Sequence, residues 1–119
     1  MFKVTTSIEL SNQRIADVLT GAFEGGSTYW IQSVTPRFKT HSEYSEPASY
    51  EPENFVDRLI IAEDEEDSFH FTLTTIDEGL QIMADKYSRH MADLINENDD
   101  ADTSDVLLQC ILFGDIVYG

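Results

Sequence analysis

One helical period dominates the chain. Ile76, Leu80, Met83, Ala84, Tyr87, Met91, Leu94 and Ile95 recur at three- and four-residue steps, which places them on one side of an α-helix. Thr75 or Asp77 supplies an oxygen to cap the first turn, and the period predicts a helix running to about Asn96. A one-sided helix of that length is stable only against a core, so the rest of the chain has to build the opposing surface. With 119 residues, 41% of them apolar and 11% aromatic, there is material for one modest core and a single domain over residues 1–119.

The period elsewhere alternates between two and 3.6. Over residues 2–10, Phe2, Val4, Ile8 and Leu10 share one face while Lys3, Thr5, Ser7 and Glu9 share the other, the pattern of a half-buried strand. Ser11 or Asn12 caps a helix over 12–24, striped by Ile15, Val18, Leu19, Ala22 and Phe23. Gly25-Gly26 is expected to stop that helix through glycine's tolerance of the left-handed conformation. A second strand is predicted over 27–35, closed by Pro36. Residues 37–55 form a long connection without periodicity. The runs 57–63 and 68–75 flank Asp64-Glu65-Glu66-Asp67 and predict a hairpin with an acidic tip. An acidic linker over 96–102 precedes a last helix, 103–113, capped by Thr103 or Ser104, striped by Val106, Leu107, Cys110, Ile111 and Leu112, and ended by Gly114. The sum is an α+β domain: a mainly antiparallel sheet of about four strands with two to three helices packed on one face, Tyr29 or Trp30 meeting the long helix.

Charge excludes several function classes. Twenty-three Asp and Glu against seven Lys and Arg give a net charge of −16 and a pI near 4.1. A field of that sign disfavours direct nucleic-acid binding and adhesion to anionic membranes. No apolar run is long enough for a transmembrane helix, and the first residues lack the pattern of a secretory signal. The single Cys110 fits a reducing compartment.

Residue types that do chemistry are present but scattered. His41, His70 and His90 stand in three different elements with no Cys or His at ligand spacing, so zinc is not expected. Asn98 to Asp102 offers oxygens at alternate positions, yet an EF-hand counted from Asn98 has Thr103 where glycine belongs and Gln109 where the bidentate glutamate belongs. Cys110 lies on an apolar stripe without a cationic neighbour to make it a thiolate. A binding protein without catalytic residues, metal or cofactor is expected, rather than an enzyme.

The acids themselves are the informative feature. Ten of them stand between Glu43 and Asp67 against one base, Arg58, and six more between Asp93 and Asp105 against none. Duplex DNA carries about one charge per 1.7 Å, so a charge of −16 matches roughly 27 Å of duplex. The candidate partner-binding residues are Glu63, Asp64, Glu65, Glu66 and Asp67 at the hairpin tip, with Asp99, Asp100 and Asp102 as a second cluster. Behind these stands the 37–55 loop, where Tyr44 and Tyr50 sit among Glu43, Glu46, Glu51 and Glu53.

The stretch from Ile15 to Trp30, with Glu24-Gly25-Gly26-Ser27-Thr28-Tyr29-Trp30 at its end, resembles the N-terminal signature of small acidic phage and prophage proteins. The ending from Asp105 to Gly119 is similar to the same group. The resemblance implies a mobile-element origin and the host cytoplasm as working compartment. By analogy it also implies an anti-CRISPR-like inhibitor that binds the basic surface of a host nucleoprotein complex, a CRISPR effector first among them, by nucleic-acid mimicry. A phage assembly or housekeeping protein, or a small enzyme of unknown class, is the alternative.

Overall fold

The computed structural model describes residues 1–4, 6–36, 58–62, 68–71 and 73–119. Among them four α-helices carry the fold: α1 (Asn12–Gly21), α2 (Leu73–Lys86), α3 (Ser88–Ile95) and α4 (Ala101–Phe113). The expected α+β architecture, built on a four-stranded sheet, is therefore overturned, because the described chain is mostly helical. What pairs is a small antiparallel ladder of β1 (Ile31–Pro36), β2 (Arg58–Ala62) and β3 (Ser68–Phe71), in that order. Ile60 stands opposite both Val34 and Phe69, and the register slips between Ile31 and Ser33.

The described residues of the 2–10 stretch do not join the ladder. Alternation makes a strand only where an edge is free to pair with it, and here the apolar row stays outside: Phe2 is 98% exposed and Val4 85%. The 27–30 stretch is likewise a tight turn rather than a strand, with the N–H groups of Trp30 and Ile31 both donating to Ser27 O at 3.2 and 3.1 Å.

Helix α4 is the centre. Every residue from Thr103 to Ile111 is buried, as a helix must be when α1, α2 and α3 wrap around it. Asp100, rather than Thr103 or Ser104, caps it: Asp100 Oδ1 accepts from Thr103 N at 3.1 Å, and Thr103 Oγ1 accepts in return from Asp100 N at 3.4 Å. Gly114 ends it at φ 73°, in the left-handed region where a Cβ would be strained. Helix α2 comes unusually close, since a Cβ at Gly79 would lie 2.4 Å from Ile111 Cγ1 and 2.6 Å from Ile111 Cα.

The long helix of the sequence is broken at Tyr87, whose φ of −128° leaves the helical region. Neither proline nor glycine stands there. Tyr87 donates its hydroxyl to Asp115 beyond the end of α4, so a tertiary tie accompanies the turn that intrinsic propensity does not foretell. The apolar period survives the break: Ile76 and Met83 on α2 and Leu94 on α3 enter one core with Ile15, Val18 and Leu19 of α1. No helix of the described residues is long and apolar enough to cross a membrane.

Candidate functional site

The glycine doublet does not act as expected. Ala22–Gly26 forms one π-helical turn continuing α1, and neither Gly25 nor Gly26 has a positive φ. Gly26 is needed for closeness instead: a Cβ there would lie 2.4 Å from the carbonyl oxygen of Ala101, at the start of α4. The turn that follows, coiled on Ser27 O, throws the side chains of Ser27, Tyr29 and Trp30 towards one point on α4.

That point is Asp105, only 7% exposed. Its Oδ1 accepts from Ser27 Oγ and from Trp30 Nε1, each at 2.7 Å, and its Oδ2 accepts from the Tyr29 hydroxyl at 2.6 Å. One turn further along α4, Gln109 Oε1 accepts from Val117 N at 2.7 Å and Tyr118 N at 2.8 Å, while its Nε2 donates to Tyr118 O at 3.1 Å. Trp30 then stacks flat on Tyr118, with centroids 5.3 Å apart, and tilts against Phe113 at 5.4 Å. Two polar side chains of a buried helix thus clasp the 27–30 turn and the chain's last residues. Trp30 thus meets α4 and this tail, within the same buried cluster as Ile76, Met83 and Leu94.

The chemistry of the clasp is structural. A buried carboxylate is costly unless donors replace its water, and here three neutral donors do so. Burial first, then the hydrogen bond to Asp105 and its charge, push the Tyr29 phenol up to about 12, so it stays a donor through the physiological range. Cys110, whose thiol burial pushes up to about 11, is a poor nucleophile. No group of three His, Cys, Asp or Glu suited to a metal ion occurs among the described residues.

The sequence-predicted residues divide. Glu63, Asp64, Glu65, Glu66 and Asp67 lie outside the described residues, as does the whole of the 37–55 connection. Asp99 is held by Arg14, whose guanidinium also donates to Leu94 O at 3.0 Å. Asp100 caps α4, and the Thr103 backbone bond that makes it a cap holds its carboxyl below the usual range. Asp102 is exposed in the first turn of α4, where the helix dipole favours it. The linker is thus not merely solvated: two of its three candidate acids are fastened to the fold.

Asp105 is the residue that sequence reasoning missed, having counted it among the acids of a solvated patch. The sequence shows only that Asp105 and Gln109 stand one turn apart and so share a face of α4; that the face is buried comes from the segments packed on it. No protein-family model matches this chain, and no curated protein or solved structure matches it either.

Proposed function

We propose that this chain is an acidic inhibitor that occupies the Lys/Arg-lined nucleic-acid-binding surface of a host defence complex of phage-infected cells, with CRISPR effectors the first candidates. The observation that carries the reading is the net charge of −16. It is supported by the placement of two of the few cations: Arg14 is spent on Asp99, and Lys86 lies 3.6 Å from Asp115. Asp17, Glu24, Asp77, Glu78, Asp85, Glu97 and Asp102 remain exposed. Such a surface attracts a basic channel at long range and competes with the phosphates that belong there. The contact set starts from Glu63 to Asp67 and Asp102, because Asp99 and Asp100 have internal duties.

The test adds purified protein to assembled CRISPR effector complexes carrying a labelled target duplex, over a range of salt. Release of the duplex at low salt, fading steeply as salt rises, is the expected result, since exposed charge pairs are screened over about 8 Å at physiological ionic strength. Neutralising Glu65, Glu66 and Asp67 together should weaken release and leave the Tm unchanged. Failure to release duplex from any complex at low salt overturns the reading.

A further inference from the structure

We propose that two copies of this chain pair through residues 2–10, antiparallel about a twofold axis at Thr6, each inserting Phe2 and Val4 beside the other's Ile8 and Leu10. The proposal is independent of the inhibitor reading. It starts from a stretch that the fold holds only at its end, where Leu10 packs against the core: no described residue from Met1 to Leu10 takes part in a helix, strand or hydrogen bond. Ile8 is 58% exposed, beyond the still more exposed Phe2 and Val4.

The sequence of this arm is complementary to itself. Antiparallel pairing about Thr6 sets Phe2 opposite Leu10, Val4 opposite Ile8, and Lys3 opposite Glu9. The apolar residues fall on one face, and each polar edge gains a pair of opposite charges, twice per dimer by symmetry. Shifting the register by one residue would set apolar against charged side chains, and shifting it by two would part Lys3 from Glu9. The arm is also where a chain of charge −16 can approach its copy, because Lys3 and Glu9 cancel within it.

A two-stranded ribbon alone is marginal in water, and a surface must receive its apolar face. That surface is present. A groove of about 570 Å³ runs between the arm and helices α2 and α3; Ile8, Leu80, Met91 and Ile95 give it apolar lining, and Glu9, Asp77 and Gln81 give it polar lining. The partner's Phe2 and Val4, standing across from Leu10 and Ile8, enter that groove. The same event buries the exposed row, satisfies the arm's backbone and fills the groove.

Sedimentation equilibrium of the full chain over a concentration series is the test. The expected result is reversible association to twice the 13.5 kDa chain mass. Lys3→Glu and Glu9→Lys, each alone, set like charges opposite one another and should weaken association about tenfold. An equimolar mixture of the two variants should recover it as a mixed dimer, which a folding defect could not mimic. A monomer at every concentration, single variants that associate like wild type, or a mixture that fails to recover would each overturn the proposal.

Discussion

The clasp around Asp105 and the arm over residues 1–10 combine apolar and polar side chains in similar proportion, yet they have opposite fates. At the clasp, one carboxylate and one amide meet donors and acceptors from two distant segments, with Ser27, Trp30, Asp105 and Gln109 buried. In the arm, Phe2, Val4 and Ile8 are exposed, Leu10 is partly buried, and the described residues make no hydrogen bond. The difference lies in available partners, not in composition. Helix α4 presents Asp105 and Gln109 on a surface that other segments must cross, whereas nothing in the chain's own ladder takes the arm as a fourth strand. Folding stability should therefore concentrate at the clasp and be almost absent from the arm, with association showing the reverse.

The largest effect is expected from Asp105→Ala. It leaves the Ser27 hydroxyl and the Trp30 indole N–H buried without an acceptor, and unfastens Tyr29 as well. Stranding a buried donor costs about 1–3 kcal/mol, so the variant should lose roughly 3–5 kcal/mol in urea unfolding, a large share of a small domain's stability. Asp105→Asn keeps one oxygen acceptor and should lose less. A loss below about 1 kcal/mol for Asp105→Ala would mean that water replaces the clasp, and the contrast with the arm would fail.

Next comes Gly79→Ala. The added Cβ would meet the backbone of Ile111 at 2.6 Å, which cannot swing away as a side-chain end can, so α2 and α4 must separate. Overpacking of that kind costs about 1–3 kcal/mol, although alanine is the better helix former. An unchanged or higher Tm would show that the α2–α4 contact is softer than the clasp next to it.

These two sites also measure how far the residues alone could lead. The 3.6-residue stripes located helical segments because periodicity is a local property of each segment, and Ser11 caps α1 through Arg14 N as its residue type suggests. Local pattern could not decide what the alternation over 2–10 pairs with, nor that Tyr87 interrupts the long helix, because both depend on segments far away in the chain. The glycine doublet was noticed for the wrong property. Gly26 answers to the carbonyl of Ala101, some seventy-five residues on, and not to a left-handed φ. Counting acids along the chain likewise treated Asp105, Asp99 and Asp102 alike, although one is buried, one ion-paired and one exposed.

A smaller effect separates charge from geometry at the start of α4. Asp100 has its carboxyl held below the usual range, chiefly by the Thr103 backbone bond. A depressed folded pKa means a contribution present above the unfolded value near 3.9 and lost as pH falls through the lower folded one. Asp100→Asn keeps a capping oxygen, so its Tm at neutral pH should stay close to wild type. On acidification below about pH 4 the wild type should lose stability that the variant keeps, so its Tm should fall below the variant's. A difference in Tm that is the same at pH 3 and pH 7 would show that the cap acts through its shape alone.

The smallest effect on folding is expected where the sequence pattern is most regular. Val4→Asp puts a charge into the apolar row of the arm, at a position 85% exposed and without hydrogen bonds. In dilute solution nothing is lost from the monomer, so the Tm should match wild type within the roughly 0.5 kcal/mol typical of surface changes. At high concentration the two should part. A dimer that binds only folded chains raises the wild-type Tm by mass action, and the variant, unable to place Asp in a partner's groove, should show no such rise. Scanning calorimetry over a concentration series separates the cases. A Tm for Val4→Asp that falls even in dilute solution would mean that the arm belongs to the fold of the single chain, and the contrast between clasp and arm would then be one of degree.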